Sequence, residues 1–333
     1  EAAITIDTRW LVRDGVLIGA LSVPLLVVAI GVAALSFNGL MGESLGHSLT
    51  LASLVGVMVC ATDPAMISGV VCERRGARRA LRILEGESLI NDATVIAAFV
   101  TLSSLLIVPG AEISIPGVLG QFLLVLLGGA VVGVVLGWLL DRVIAPANDK
   151  VLSTSATLVL AFSSFWISEH LLGVSGVVAT LAAGLTIAWR QRKHRSESDI
   201  AFALDTWQFL GFCANAMLFF VVGMSITIQM FRDHWPIMLA AILAALISRA
   251  VIVFLGAGPI SRLPHVQTLN LREQNLLMWG GVRGAVAIAL ALSLSMDIPH
   301  WYEIQSAVYG VALFSLVVQT PMVPYLASSI RSN

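Results

Sequence analysis

Two aspartates, Asp63 and Asp92, sit inside long apolar runs of this sequence, where a charge is costly to keep. Close to them stand Thr62, Pro64, Glu87, Ser88 and Asn91, and two arginines, Arg249 and Arg283, are buried in apolar runs further along. Hard, small cations prefer oxygen ligands. The carboxylates of Asp63 and Asp92, the hydroxyl of Ser88 and the carbonyl of Thr62 would supply an all-oxygen shell of the kind that holds Na+. Low dielectric favours the neutral form of a carboxyl group, so the same shell can hold a proton when no cation is present. Competition of H+ and a monovalent cation for one site is sufficient for antiport.

The elements that must position these groups are membrane helices. Hydrophobic residues make up 58% of the chain and charged residues 12%, where a soluble domain carries about 25% charged. Ten apolar stretches suit a hydrocarbon layer about 30 Å thick: 15–37, 48–71, 84–108, 115–144, 151–170, 174–189, 203–230, 234–257, 272–296 and 302–327. Strand-like alternation is missing, so a helical bundle is expected in place of an outer-membrane barrel. Asp92 falls about 12 Å into the third span and Asp63 about 12 Å from the end of the second, which runs the other way. Two acids on different helices thus share the depth of the midplane, and intramembrane acids usually mark an ion path. Ser88 lies one turn from Asp92, and Glu87 one turn from Asn91. Taken alone, Ser88 or Asn91 could equally serve to hydrogen-bond a neighbouring helix.

The basic residues test these spans independently, because Lys and Arg collect in cytoplasmic loops. Arg9 and Arg13 precede the first span, and Arg74, Arg75, Arg78, Arg79 and Arg82 separate the second from the third. Arg142 and Lys150 follow the fourth, Arg190, Arg192, Lys193 and Arg195 the sixth, Arg262 and Arg272 the eighth, and Arg331 the tenth. The alternate loops, near 38–47, 109–114, 171–173, 231–233 and 297–301, hold only Arg232. Both ends of the chain are therefore expected on the cytoplasmic side. The chain opens at Glu1 without a leader sequence, inside what reads as a helix end, so helices are expected to be missing before it.

Pro64 directly follows Asp63, and a proline removes a backbone donor and disfavours helix at the residue before it. A break there would free carbonyls such as that of Thr62 to coordinate a cation, although an ordinary kink would also account for the proline. Gly280, Gly281 and Gly284 around Arg283 suggest a second break in the ninth span. Arg283 lies about 16 Å into that span, where a buried arginine needs an acidic or carbonyl partner, and Glu87 is the acid expected to pair with it. No partner for Arg249 is evident. Gly129, Gly133 and Gly137 recur every four residues, a spacing that permits close helix contact. Cys60, Cys72 and Cys213 read as packing residues. With no HExxH or GxSxG motif, a membrane hydrolase has little support, and a non-enzymatic protein without cofactor or nucleic-acid partner is expected.

These residues resemble the monovalent cation:proton antiporters of the NhaP and eukaryotic Na+/H+ exchanger type, over nearly the whole chain, and compact loops suggest a bacterial member. Thr62-Asp63-Pro64 resembles the family's unwound crossing helix, Glu85-Gly86-Glu87-Ser88 with Asn91-Asp92 resembles its Asn-Asp helix, and Gly281-Val282-Arg283-Gly284-Ala285-Val286 is similar to its arginine motif. Weaker matches are Gly173 to Ala179 and Asn215 to Gly223. The resemblance implies an all-α polytopic membrane protein with an inverted-repeat antiporter fold and two crossing broken helices, the whole chain 1–333 forming one exchanger domain. It implies Asp92 as the main carrier of cation and proton, with Asp63, Ser88 and the Thr62 carbonyl as further Na+ ligands. Asn91, Pro64 and Glu1 are implied as supporting residues, and Glu87 with Arg283 as a salt bridge. Asn-Asp in place of Asp-Asp resembles the electroneutral branch, one H+ per cation. Such proteins have thirteen helices and form homodimers in the cell (inner) membrane. A cation channel, a K+ efflux system, or a non-transporting sensor or scaffold would use the same polar midplane.

Overall fold

A computed structural model of the chain describes residues 14–41, 48–64, 67, 77–107, 115–144, 149–191, 197–264 and 266–328. Every regular element among the described residues is helical. In chain order these are α1 (Gly15–Ser22), α2 (Pro24–Met41), α3 (Leu49–Cys60), α4 (Arg78–Ile107), α5 (Ile115–Ile144), α6 (Lys150–Trp166), α7 (Gly176–Gln191) and α8 (Glu197–Ser225). They continue with α9 (Ile228–Ala250), α10 (Leu271–Trp279), α11 (Ala285–Leu292), α12 (Trp301–Phe314) and α13 (Thr320–Ser328). Seven stretches of the described chain are long and apolar enough to cross a membrane, and α3 and α7 are shorter apolar helices. The ninth expected span is the pair α10 and α11, two half-helices with an interruption between them.

The expected boundaries shift at two places. The loop expected at 231–233 falls instead at Ile226 and Thr227. There Thr227 ends the preceding segment and caps α9, its side chain accepting from the Met230 amide. Arg232 and Asp233 are thereby helical, and the chain kinks at His234, two residues before Pro236. At α4 the helix starts at Arg78 rather than near 84, so Arg79 and Arg82 ride on its first turns. Arg79 is held there by Asp14 at 3.1 Å and by the carbonyls of Gln267 and Thr268.

The described chain forms two compact units. The first contains Ile96–Thr101 of α4 and Ala111–Met217. In it α5 runs along α7, and the glycines make that approach possible: side chains at Gly129 or Gly137 would meet the carbonyls of Ser175 or Ala183, and one at Gly133 would collide with the Ala179 backbone. Asp141 on α5 pairs with Arg190 on α7, and Trp207 of α8 donates to Thr157 of α6 at 3.1 Å. The second unit contains Arg9–Val95, Leu102–Gly110 and Leu218–Asn333. Its centre is α9, which packs against α2, α3 and α12, with Ser248 donating to the Ala29 carbonyl at 2.8 Å. The alanines Ala241 and Ala244 on α9 and Ala33 on α2 are fully buried, so backbones come close enough for such a bond. Asp63, Asp92 and the residues around them all belong to this second unit.

Candidate functional site

Helix α3 begins at a serine cap, Ser48 accepting from the Leu51 amide, and stops at Cys60. Ala61 is already extended, at φ −62° and ψ 128°, as expected just ahead of an Asp-Pro step that cannot continue a helix. On the other side of the site, α10 is started by a capping box between Asn270 and Glu273 and ends at Gly280. The chain stays non-helical until Ala285 begins α11. The two breaks meet. The Asp63 amide donates to the Val282 carbonyl at 2.7 Å, and the Asp63 carboxylate accepts from the Ala285 amide at 3.1 Å. A side chain at Gly284 would collide with that carboxylate, so this contact requires a glycine at 284.

Three half-helix ends converge here, each matched by charge of the sign its dipole favours. The Asp63 carboxylate lies at the N-terminus of α11. At the C-terminus of α3, Arg283 donates to the carbonyls of Cys60 at 3.0 Å and Ala61 at 3.3 Å. At the C-terminus of α10, Arg249 donates to the Leu277 carbonyl through Nε and Nη2, at 3.1 and 2.9 Å. Arg249 is also the partner of Glu87 in a two-pronged pair, Nη2 to Oε2 at 2.9 Å and Nη1 to Oε1. Glu87 is 1% exposed and Arg249 2%, so each charge depends on the other. This corrects the expected pairing of Glu87 with Arg283. Arg283, 3% exposed, finds its partners in the carbonyls released by the break in α3, and Arg249, whose partner the sequence left unnamed, takes the acid. Composition admitted either arginine; only the approach of α9 to α4 and α10 decides between them.

Helix α4 brings the remaining groups. It is 30 residues long, about 45 Å, and Asp92 is its fifteenth residue, at mid-length. Ser88 donates to the Thr62 carbonyl at 2.6 Å. Asn91 donates to the Cys60 carbonyl at 3.1 Å and to the Thr62 hydroxyl at 2.9 Å. Asn91 thus reads the broken end of α3 from one turn and Ser88 from the next. Asp92 is half-buried, its Oδ1 is enclosed without a hydrogen bond among the described residues, and Asp63 is its charged neighbour.

The sequence-derived residues Thr62, Asp63, Pro64, Glu87, Ser88, Asn91, Asp92 and Arg283 are therefore gathered around one crossing. Glu1 lies outside the described residues. The partners that sequence reasoning missed are Arg249, the Val282 carbonyl, the Ala285 amide and Gly284. The Gly-Val-Arg-Gly-Ala run contained three of them, but backbone partners leave no side-chain signal. Chemically the arrangement offers a carboxylate oxygen without a partner among the described residues, a second carboxylate, a hydroxyl and the carbonyl end of a broken helix, all oxygen, with the positive charges turned toward helix ends.

Comparison with known proteins agrees with this architecture. A family model described as "Sodium/hydrogen exchanger, transmembrane" matches residues 1–328. The Na(+)/H(+) antiporter ApNhaP of Aphanothece halophytica is 34% identical over 96% of the chain, which spans 60% of that relative's length. The Na(+)/H(+) antiporter NhaH of Halobacillus dabanensis is 32% identical over 81% of the chain and 66% of its own. Among solved structures, the sodium proton antiporter MjNhaP1 from Methanocaldococcus jannaschii superposes with a TM-score of 0.85 at 20% identity, covering 99% of this chain and 82% of that one, which establishes the fold.

Proposed function

This chain belongs to the sodium/hydrogen exchanger family, and from that premise we propose that it exchanges a monovalent cation, Na+ in the first instance, against H+ across the cell membrane. Asp92 carries the cation and the proton in turn. Asp63, the Ser88 hydroxyl and the Thr62 carbonyl complete the cation's shell, while Asn91 and Pro64 hold the broken end of α3 open. Glu87 with Arg249, and Arg283 with its two carbonyls, keep the crossing rigid. The observation that carries this reading is the enclosed, unbonded oxygen of Asp92 beside a second carboxylate and a broken helix. A buried carboxylate oxygen left without a partner is costly, and a dehydrated cation or a proton would satisfy it.

With a single carboxylate in the Asn91-Asp92 pair, exchange is one for one and electroneutral. The relatives are named as antiporters, so a channel or efflux reading is not favoured. The protein is a multi-pass transporter and not an enzyme. We place it in the bacterial inner membrane as a homodimer, with the Arg78 end of α4 on the cytoplasmic side.

Everted membrane vesicles carrying the complete protein test the assignment: addition of Na+ should dissipate an imposed pH gradient, and Asp92→Asn should abolish the response. Retention of Na+-dependent proton flux by Asp92→Asn would refute the role of Asp92. Repeating the measurement with Li+ and K+ sets the selectivity.

A further inference from the structure

Among the described residues, several acids of the second unit are spent on structure. Glu87 holds Arg249, Asp14 holds Arg79, Glu273 closes the capping box of α10, and Asp63 receives the first amide of α11. Glu85 is different. It lies on α4, half-buried within a stretch apolar enough to span the membrane. It forms no hydrogen bond or ion pair among the described residues, and Arg82 is the charged neighbour acting on it.

Its position gives it a use. Asp92 follows Glu85 by seven positions, and seven steps of α-helix turn through about 700°, so the two side chains share one face about 10.5 Å apart along the axis. Accessibility follows the same face. Arg82, Glu85 and Asp92 are all partly accessible, whereas Leu81, Ile83, Leu84, Glu87 and Asn91 are buried. Ser88 and Leu89, on the turn between, keep 6% and 7% exposure. Partly accessible residues thus mark this face at the Arg78 end of α4 and again at the carboxylate at its midpoint, with buried Ser88 and Leu89 between them, and Glu85 stands halfway along, its charge without a hydrogen bond or ion pair among the described residues.

We propose that Glu85 is the approach residue of the exchange site, a negative charge that concentrates hydrated cations in front of Asp92 and offsets the positive charge of Arg82 at the mouth. This rests on the antiport reading above and deepens it. Glu85 ligates nothing in the bound state. It is a positioning residue, acting on cation capture and leaving the exchange step at Asp92 unchanged.

The experiment is Na+-dependent proton flux in liposomes containing the complete protein. Glu85→Gln is expected to raise the KM for Na+ roughly three- to tenfold, the effect of one charge about 10 Å away at intermediate dielectric, with the maximal rate kept within about twofold. Glu85→Asp restores the KM. Arg82→Gln, at the helix mouth, shifts KM the opposite way and provides an independent reading if Glu85→Gln does not fold. Raising ionic strength with choline chloride narrows the gap between wild type and Glu85→Gln, as screening demands. An unchanged KM in Glu85→Gln, or in Arg82→Gln where Glu85→Gln does not fold, overturns the proposal, as does a fall in maximal rate at constant KM. Absence of flux in the wild-type protein would instead overturn the antiport reading itself, so the two failures are distinct.

Discussion

At the scale of single residues, the proposed function divides the site into groups that would bind the cation and groups that brace. Ser88 belongs to the first kind: its hydroxyl and the Thr62 carbonyl are 2.6 Å apart, close enough to act on one ion. Ser88→Ala removes one neutral ligand, so the KM for Na+ should rise roughly three- to tenfold, in line with about 0.5–1.5 kcal/mol per hydrogen-bonding group. A flux titration of the variant checks this. Glu87 and Arg249 belong to the second kind. Removing one member leaves a buried charge alone, and Arg249→Leu should cost about 3–5 kcal/mol of stability. Thermal melting in detergent would show it, and the double variant Glu87→Leu/Arg249→Leu should recover much of the loss. A double variant no more stable than Arg249→Leu would mean that the four bonds to Leu277 and Glu87 do not act as a unit.

At the scale of elements, the decisive feature is that two spans fail to be continuous helices. Part of this was legible in the sequence. Pro64 after an acid in an apolar run, and three glycines around an arginine, are local signals that act through the backbone, and both breaks fall where those residues stand. What was not legible is how the breaks meet, because the bonds joining them run between main-chain groups such as the Asp63 amide and the Val282 carbonyl. The choice between Arg249 and Arg283 for Glu87 failed for a related reason: helical spacing within a span is readable, but the rotation of α9 against α4 is set by packing. Gly284 offers the test. Gly284→Ala would drive a methyl group into the Asp63 carboxylate, so the variant should reach the membrane in normal amount yet lose at least about tenfold in flux, measured against an expression-matched wild type. Gly31, where an added methyl meets open space, should accept alanine without effect.

At the scale of the whole molecule, alternating loop charge predicts sidedness. Accessibility labelling of single cysteines at Ser198 and at Ser295, in a background lacking the three native cysteines, should place the first on the cytoplasmic face and the second on the opposite face. Labelling of both from the same side would break the topology. The same bundle also bears on speed. When α3 ends, the carbonyls of Cys60, Ala61 and Thr62 lose their helical partners. The first two are claimed by Asn91 on α4 and by Arg283 in the break between α10 and α11, while the third is held, among the described residues, by the Ser88 hydroxyl alone. Of all the latches at the crossing, this one alone opens by rotation about a single C–O bond. On the proposed function, an arriving ion would exchange its water for the Thr62 oxygen within the time of a side-chain torsion, picoseconds to nanoseconds. On that reading coordination would need no break in the backbone bonds of the crossing, and the turnover rate would be left to the slower rearrangement that exchange across a membrane requires.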